Sequence, residues 1–172
     1  MMLPGVSLVI SPLISLMKHQ VEALKQSGIP AAYINSAMSQ EEYQTVIREA
    51  LKGCYKLIYV APERLLTDSF LSFALHADIS FISVDEVHCV SQWGQDFRPS
   101  YLRIVNFIDN LPYRPVVGAY TATATAQVRK DVEKILKLDH PVRTVTGFDR
   151  PNLFFTVMRP KDKRSALLKL VK

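Results

Sequence analysis

The strongest constraint in this chain is an alternation: a short aliphatic run, a turn, then a segment whose apolar residues recur at helical spacing. Val6-Ser7-Leu8-Val9-Ile10 reads as a buried strand. Ser11 and Pro12 then resemble an N-cap followed by a first-turn proline, whose missing N–H costs nothing there. Leu13, Leu16, Met17, Val21 and Leu24 share one helical face until Gly28 and Pro30. Ala31 to Asn35 fits a short second strand. Ser39 and Glu42 form a capping box ahead of a helix with Tyr43, Val46, Ile47, Ala50 and Leu51 on one stripe, stopped by Gly53. Further strands are expected at 56–60, 81–84, 116–120 and 142–145, with helices running from Pro62 to Leu75 and from Ala126 to Leu136. Strands that alternate with helices pair in parallel through right-handed crossovers, which makes an open α/β sheet.

A length of 172 residues, 48% of them hydrophobic, supports one sizeable core and argues against disorder. Two cysteines, Cys54 and Cys89, are too few for a disulfide scaffold; both read as buried thiols, and with the available histidines they do not make a four-ligand zinc site. No apolar run reaches the roughly 18 residues of a membrane span, and Met1-Met2 leads into Pro4-Gly5 without a basic stretch, unlike a secretory signal. The expected location is therefore cytoplasmic or nuclear, with no membrane partner. Residues 1–158 carry fifteen Lys/Arg and fifteen Asp/Glu, so the net charge of +5 comes from the last fourteen residues. Such a tail fits a solvated basic helix or linker as readily as a binding site.

In open parallel sheets, functional groups gather at the carboxyl ends of strands. Three such places stand out. Asp85-Glu86-Val87-His88 leaves the strand at 81–84, and adjacent carboxylates there can hold Mg²⁺ and activate a water, or simply cap a turn. Thr121-Ala122-Thr123-Ala124-Thr125 follows the strand at 116–120; its hydroxyls can bridge to a neighbouring segment or cap the next helix. Ser91 to Pro99 places Trp93, the only tryptophan, near Phe97 and Arg98. That is either a stacking platform for single-stranded bases or a loop pinned to the core by its aromatics.

Taken together, several segments resemble RecQ helicases: Ser11 to Lys18, Ala61-Pro62-Glu63-Arg64-Leu65, Asp85 to Gly94, Asp96-Phe97-Arg98-Pro99, Thr121 to Ala124 and Phe148-Asp149-Arg150-Pro151-Asn152. They occur in that family's order and at about its spacing over nearly the whole chain. The resemblance implies a RecA-like fold of P-loop NTPase type, an open and mainly parallel sheet flanked by helices. It implies part of the motor of an ATP-dependent 3′-to-5′ DNA helicase acting in recombination and repair, with ATP and Mg²⁺ as cofactors. Single-stranded and partly duplex DNA, together with the rest of the helicase, would be the partners. Asp85 would hold Mg²⁺ through water, Glu86 would activate the hydrolytic water, and His88 would link the γ-phosphate region to the DNA side. Ser11, Pro62, Gln92, Trp93, Phe97, Arg98, Thr121 and Thr123 would bind DNA or couple it to hydrolysis.

The departures are equally informative. No Gly-x-x-x-x-Gly-Lys-Ser/Thr occurs, and none of the six glycines precedes a lysine. The expectation is a first RecA-like domain over 1–149 that lacks the strand and loop of Walker A, then a linker and the beginning of a second domain over 150–172. Such a chain is expected to be inactive alone, with unpaired strand edges that favour self-association. The alternative is a DNA- or partner-binding module of the same ancestry that hydrolyses nothing.

Overall fold

The computed structural model describes residues 3–147, 151–154 and 156–171. The chain divides into two units, Met1–Pro141 and Val142–Lys172. The first contains β1 (Val6–Ile10), α1 (Ile14–Gln26), β2 (Ala31–Ile34), α2 (Gln40–Leu51), β3 (Leu57–Val60), α3 (Asp68–His76), β4 (Ile79–Val84), α4 (Arg103–Asp109), β5 (Val116–Ala119) and α5 (Ala126–Ile135). Short 3₁₀ turns lie at Pro62–Arg64, Val87–Val90 and Pro99–Leu102.

The five strands form one parallel sheet in the order β2-β3-β1-β4-β5. This order dictates where the helices go. A right-handed crossover places its helix on a face set by the direction in which the chain steps across the sheet. The step from β1 to β2 runs one way, and those from β2 to β3, β3 to β4 and β4 to β5 run the other. Accordingly α2, α3, α4 and α5 share one core with the sheet, through Tyr43, Phe70, Phe73, Ile104, Phe107, Val128 and Val132. Met17 and Val21 of α1 are buried outside that core, where α1 packs against β2.

Strand burial follows the same asymmetry. Val6, Leu8 and Ile10 are buried in β1, whereas Ser7 and Val9 are only partly covered; Leu57 and Tyr59 in β3 and Phe81 and Ser83 in β4 are likewise half-buried. Residues two apart lie on one face, so one face is dry and the other has α1 as its cover near β2. The run Val6–Ile10 is thus half-buried rather than buried throughout. Within the first unit β1 is central, and among the described residues β5 pairs only with β4, so the unpaired edges lie at the sheet's two sides, and Val116 on β5 is 61% exposed.

Several local expectations need correction. Ser11 does not cap α1: the helix starts at Ile14 behind Leu13, which makes no capping bond, because the Ser11 hydroxyl is engaged elsewhere. Leu13 and Leu16 are exposed, so the buried stripe of α1 narrows to Met17 and Val21. Cys54 is exposed, and only Cys89 is buried. The Pro62–Leu75 segment is a 3₁₀ turn followed by α3. No strand forms at 142–145, where Val142 and Val145 are exposed and no pairing partner lies among the described residues. By contrast, Ser39 and Glu42 close the expected capping box, with Ser39 N–H donating to Glu42 Oε2 at 2.8 Å and Glu42 N–H to Ser39 Oγ at 3.2 Å. The second unit contains α6 (Lys163–Leu170), capped by Asp162, whose carboxyl is held below its usual range by the Ser165 hydroxyl and by backbone N–H groups. Phe148-Asp149-Arg150 lies outside the described residues.

Candidate nucleotide and nucleic-acid site

Parallel register brings the strands' carboxyl ends to one edge, since Ile10 aligns with Val60 and Val84, and Val84 with Ala119. Between β1 and β4 the chain's stepping direction has reversed, which makes this a topological switch point, the place where open α/β sheets receive ligands. Asp85 occupies this point. Its N–H donates to the Ile10 carbonyl at 2.9 Å, and its own carbonyl accepts from the fully buried Tyr101 hydroxyl at 2.9 Å. The carboxylate is also held at both oxygens: Oδ2 accepts from the buried Ser11 Oγ at 3.3 Å, and Oδ1 from the Glu86 N–H at 2.9 Å. Burial pushes the Tyr101 hydroxyl far above the ordinary tyrosine range, so it stays a donor.

Glu86 adopts φ +46°, a left-handed conformation that a non-glycine residue takes at a cost of about 1 kcal/mol or more. This bend turns the chain off β4 into the 3₁₀ turn Val87–Val90 and is fixed by Val87 N–H donating to the Tyr120 carbonyl at 2.9 Å. It returns the Glu86 carboxylate toward His88, with Oε2 3.2 Å from Nδ1. Thr121 Oγ1 lies 2.9 Å from the same nitrogen and Thr123 Oγ1 3.4 Å. One ring nitrogen makes one good hydrogen bond at a time. A neutral, unprotonated Nδ1 accepts from the Thr121 hydroxyl; a protonated one donates, and Glu86 becomes the stronger partner. The ring is therefore a junction between the carboxylate pair of β4 and the threonines of β5.

The threonine run has both of the uses open to it. Thr121 and Thr123 meet His88, while Thr125 caps α5 by accepting from Val128 N–H at 3.3 Å.

The aromatic loop follows directly. Trp93 is 74% exposed, so its ring is not a pin in the core; Gln92 is exposed, and Phe97 and Arg98 are half-buried. The loop's backbone is nevertheless tightly tied, with Gly94 N–H on the Ser91 carbonyl at 3.0 Å and Arg98 N–H on the Cys89 carbonyl at 3.0 Å. A Cβ on Gly94 would lie 2.2 Å from the His88 carbonyl oxygen, so only glycine permits this approach. Arg98 donates from Nε and Nη2 to Asp96 Oδ2 at 2.8 and 2.6 Å.

Asp85, Glu86, His88, Ser11, Thr121 and Thr123 thus form one connected cluster, with Gln92, Trp93, Phe97 and Arg98 on the adjoining loop. Ser11 is wholly buried against Asp85, and Pro62 is buried at the start of its 3₁₀ turn, so at these two places a contact with DNA would fall to the surrounding backbone. Burial raises the Cys89 thiol to about 11, keeping it neutral and unreactive near pH 7. Residues not singled out from sequence include Tyr101 and Asp131, and Ser91 is marked there only as the start of the aromatic loop. Ser91 is the one with a local signal, being the polar residue at which the loop departs.

Comparisons with known proteins bear on the family and the fold. Residues 3–132 match the family described as DEAD/DEAH box helicase. The "ATP-dependent DNA helicase RecQ" of Bacillus subtilis (strain 168) is 45% identical over 163 residues, covering 95% of this chain and 28% of that protein. "ATP-dependent DNA helicase Q1" of Rattus norvegicus is 40% identical over 160 residues, covering 89% of this chain and 26% of that protein. The chain thus spans between a quarter and a third of these relatives' length. In fold it is similar to the Hef helicase domain of Pyrococcus furiosus, with a TM-score of 0.55 at 19% identity, covering 79% of this chain and 28% of that one. With the matched family spanning most of its length and its DExH segment set at the switch point of the sheet, the chain belongs to the DEAD/DEAH box helicases.

Proposed function

We propose that this chain is part of the motor of an ATP-dependent DNA helicase of RecQ type, working in the 3′-to-5′ sense in recombination and repair. Residues 1–149 would contribute to its first RecA-like domain and 150–172 would lead into the second. The observation that carries the reading is the junction at His88 Nδ1, joined to Glu86 and Thr121 and followed by a loop that presents Trp93 to solvent. Asp85 and Glu86 take the nucleotide-side roles; Gln92, Trp93, Phe97 and Arg98 take the DNA-side roles. His88, Thr121 and Thr123 connect the two, with Ser11 orienting Asp85 from beneath and Pro62 shaping the backbone of its turn.

Mg²⁺ fits this donor set. Asp85 supplies a hard carboxylate that the Ser11 hydroxyl orients, and a single carboxylate with waters is a usual holding for this ion. When bound it would neutralise phosphate charge. ATP fits only in part: among the described residues the hydrogen-bond partners of Asp85 and Glu86 are hydroxyls, a backbone N–H and His88, and the sequence given holds no Gly-x-x-x-x-Gly-Lys-Ser/Thr to cradle the β- and γ-phosphates. The residues of this chain are therefore proposed to hydrolyse no ATP by themselves, and by itself the chain would act as a DNA- or partner-binding module. A cytoplasmic or nuclear location goes with DNA as the partner; no helix among the described residues is long and apolar enough to cross a membrane.

Because Trp93 is the only tryptophan, intrinsic fluorescence reports the loop directly. Adding single-stranded oligonucleotide should shift or quench its emission, and the response should weaken as salt rises. Emission that stays flat at low salt would refute the DNA-facing role of the loop. The part-exposed sheet face and the β5 edge support self-association of the isolated chain. Sedimentation velocity should then show a concentration-dependent shift; a single monomeric boundary across concentrations would count against it.

A further inference from the structure

We propose that Asp131, on α5, is a positioning residue for the Trp93 loop, acting through the Ser91 hydroxyl. The inference rests on the reading of Trp93 as the face that meets single-stranded DNA, and it assigns the loop's placement to a helix outside the DExH segment.

Ser91 is wholly buried at the point where the loop leaves the 3₁₀ turn Val87–Val90. Its Oγ donates to Asp131 Oδ2 at 2.7 Å and accepts from the Trp93 N–H at 3.1 Å. A serine hydroxyl has one proton and two lone pairs, so both bonds coexist, and the ionised acceptor makes the first of them strong. Asp131 is itself braced, because its Oδ1 accepts from Gln127 Nε2 at 3.1 Å, one turn earlier on α5. The tryptophan's backbone is therefore two hydrogen bonds from a carboxylate on α5.

The same stretch of chain holds the other end of the turn. Thr121 and Thr123 contact His88, and Thr125 caps the helix that presents Asp131. Segment 121–131 thus grips Val87–Ser91 at both ends, by His88 and by Ser91. With Gly94 pressed on the His88 carbonyl there is little slack between them. A displacement at the end of β5 would be transmitted to Trp93 through α5 as well as through His88. Helix stability does not explain Asp131, since aspartate is a poor residue for a helix interior and alanine a better one.

The test uses the whole chain, with Trp93 as the probe, and the variants Asp131→Ala, Ser91→Ala and Asp131→Asn. Asp131→Ala and Ser91→Ala should each weaken single-stranded oligonucleotide binding about tenfold and lower Trp93 anisotropy in the free protein. Asp131→Asn retains a carbonyl oxygen that can accept from Ser91 and should stay within about twofold of wild type. If Asp131→Ala fails to give native circular dichroism, Ser91→Ala and Asp131→Asn carry the comparison. A responsive wild type with variants that match it overturns the positioning role and leaves the loop's DNA role intact. Asparagine as impaired as alanine overturns the hydrogen-bond account. A wild type indifferent to oligonucleotide removes the DNA-facing reading itself, and the positioning role falls with it.

Discussion

The guanidinium of Arg98 donates twice to one oxygen of Asp96, so a phosphate approaching the loop competes with a carboxylate two residues away. The pair is partly solvated, with side chains 37% and 54% exposed, and exposed pairs of this kind are worth about 1 kcal/mol or less. The competition is therefore mild: if Arg98 takes the DNA-side role proposed for it, Asp96 would moderate nucleic-acid affinity without abolishing it. Replacing Asp96 with asparagine should strengthen single-stranded oligonucleotide binding about threefold at low salt, a gain that shrinks as salt rises. Trp93 fluorescence titration reads it, and weaker binding would show that Asp96 orders Arg98 for its task. At this scale much of the site was legible. Asp85, Glu86, His88 and Thr121 stand at strand ends, where apolar runs stop and polar residues begin. Ser11 was legible as a site residue but not in its role: Ser-Pro before an apolar periodic segment looks like a cap, and only the neighbouring strand supplies the Asp85 carboxylate that takes its hydroxyl. Asp131 was illegible because its partner Ser91 lies forty residues away.

Among the elements, α4 was not foreseen. It has seven residues, too few for a persuasive helical period, yet Ile104, Phe107 and Ile108 follow the i, i+3, i+4 spacing and are buried. Phe107 is fully buried, with its ring centroid 5.7 Å from that of Phe70 on α3. Phe107→Ala should cost about 3–5 kcal/mol, a transfer and cavity penalty measurable by urea unfolding. A loss below about 1 kcal/mol would mean that α4 is peripheral to the core. The opposite error occurred at 142–145, where two valines in four residues suggested a strand. Such a run is β-prone only beside a partner strand, and none lies there among the described residues. The five strands that do form were readable because each is a short aliphatic run bounded by glycine, proline or polar residues.

At the scale of the molecule, burial raises several thiol and phenol groups. Burial raises the Cys89 thiol to about 11 and Tyr101 beyond the usual phenol range, while burial and hydrogen bonding to Glu49 raise Tyr55 to about 12. A group raised on folding stabilises the native state below its unfolded value and loses that contribution as pH climbs through its folded value. Unfolded cysteine and tyrosine ionise near 8.5 and about 10. Melting temperature should therefore hold up to about pH 8.5 and then decline steadily toward pH 11 and above, first through Cys89 and then through the tyrosines. Thermal melts across that range check the slope, and Cys89→Ala should flatten its first part. A melting temperature that rises between pH 9 and 11 would contradict the burial of these groups.

The central place of β1 also has a kinetic consequence. Ser7 pairs with Leu57 and Ile10 with Val84, so β1 meets these two neighbours only once much later segments exist. During synthesis the backbone groups that β1 shares with β3 and β4 must wait for those strands to leave the ribosome. Closing such distant pairings is entropically slow. The nascent chain is thus most open to chaperones, and to mispairing with its neighbours, in the interval before residue 84 is free.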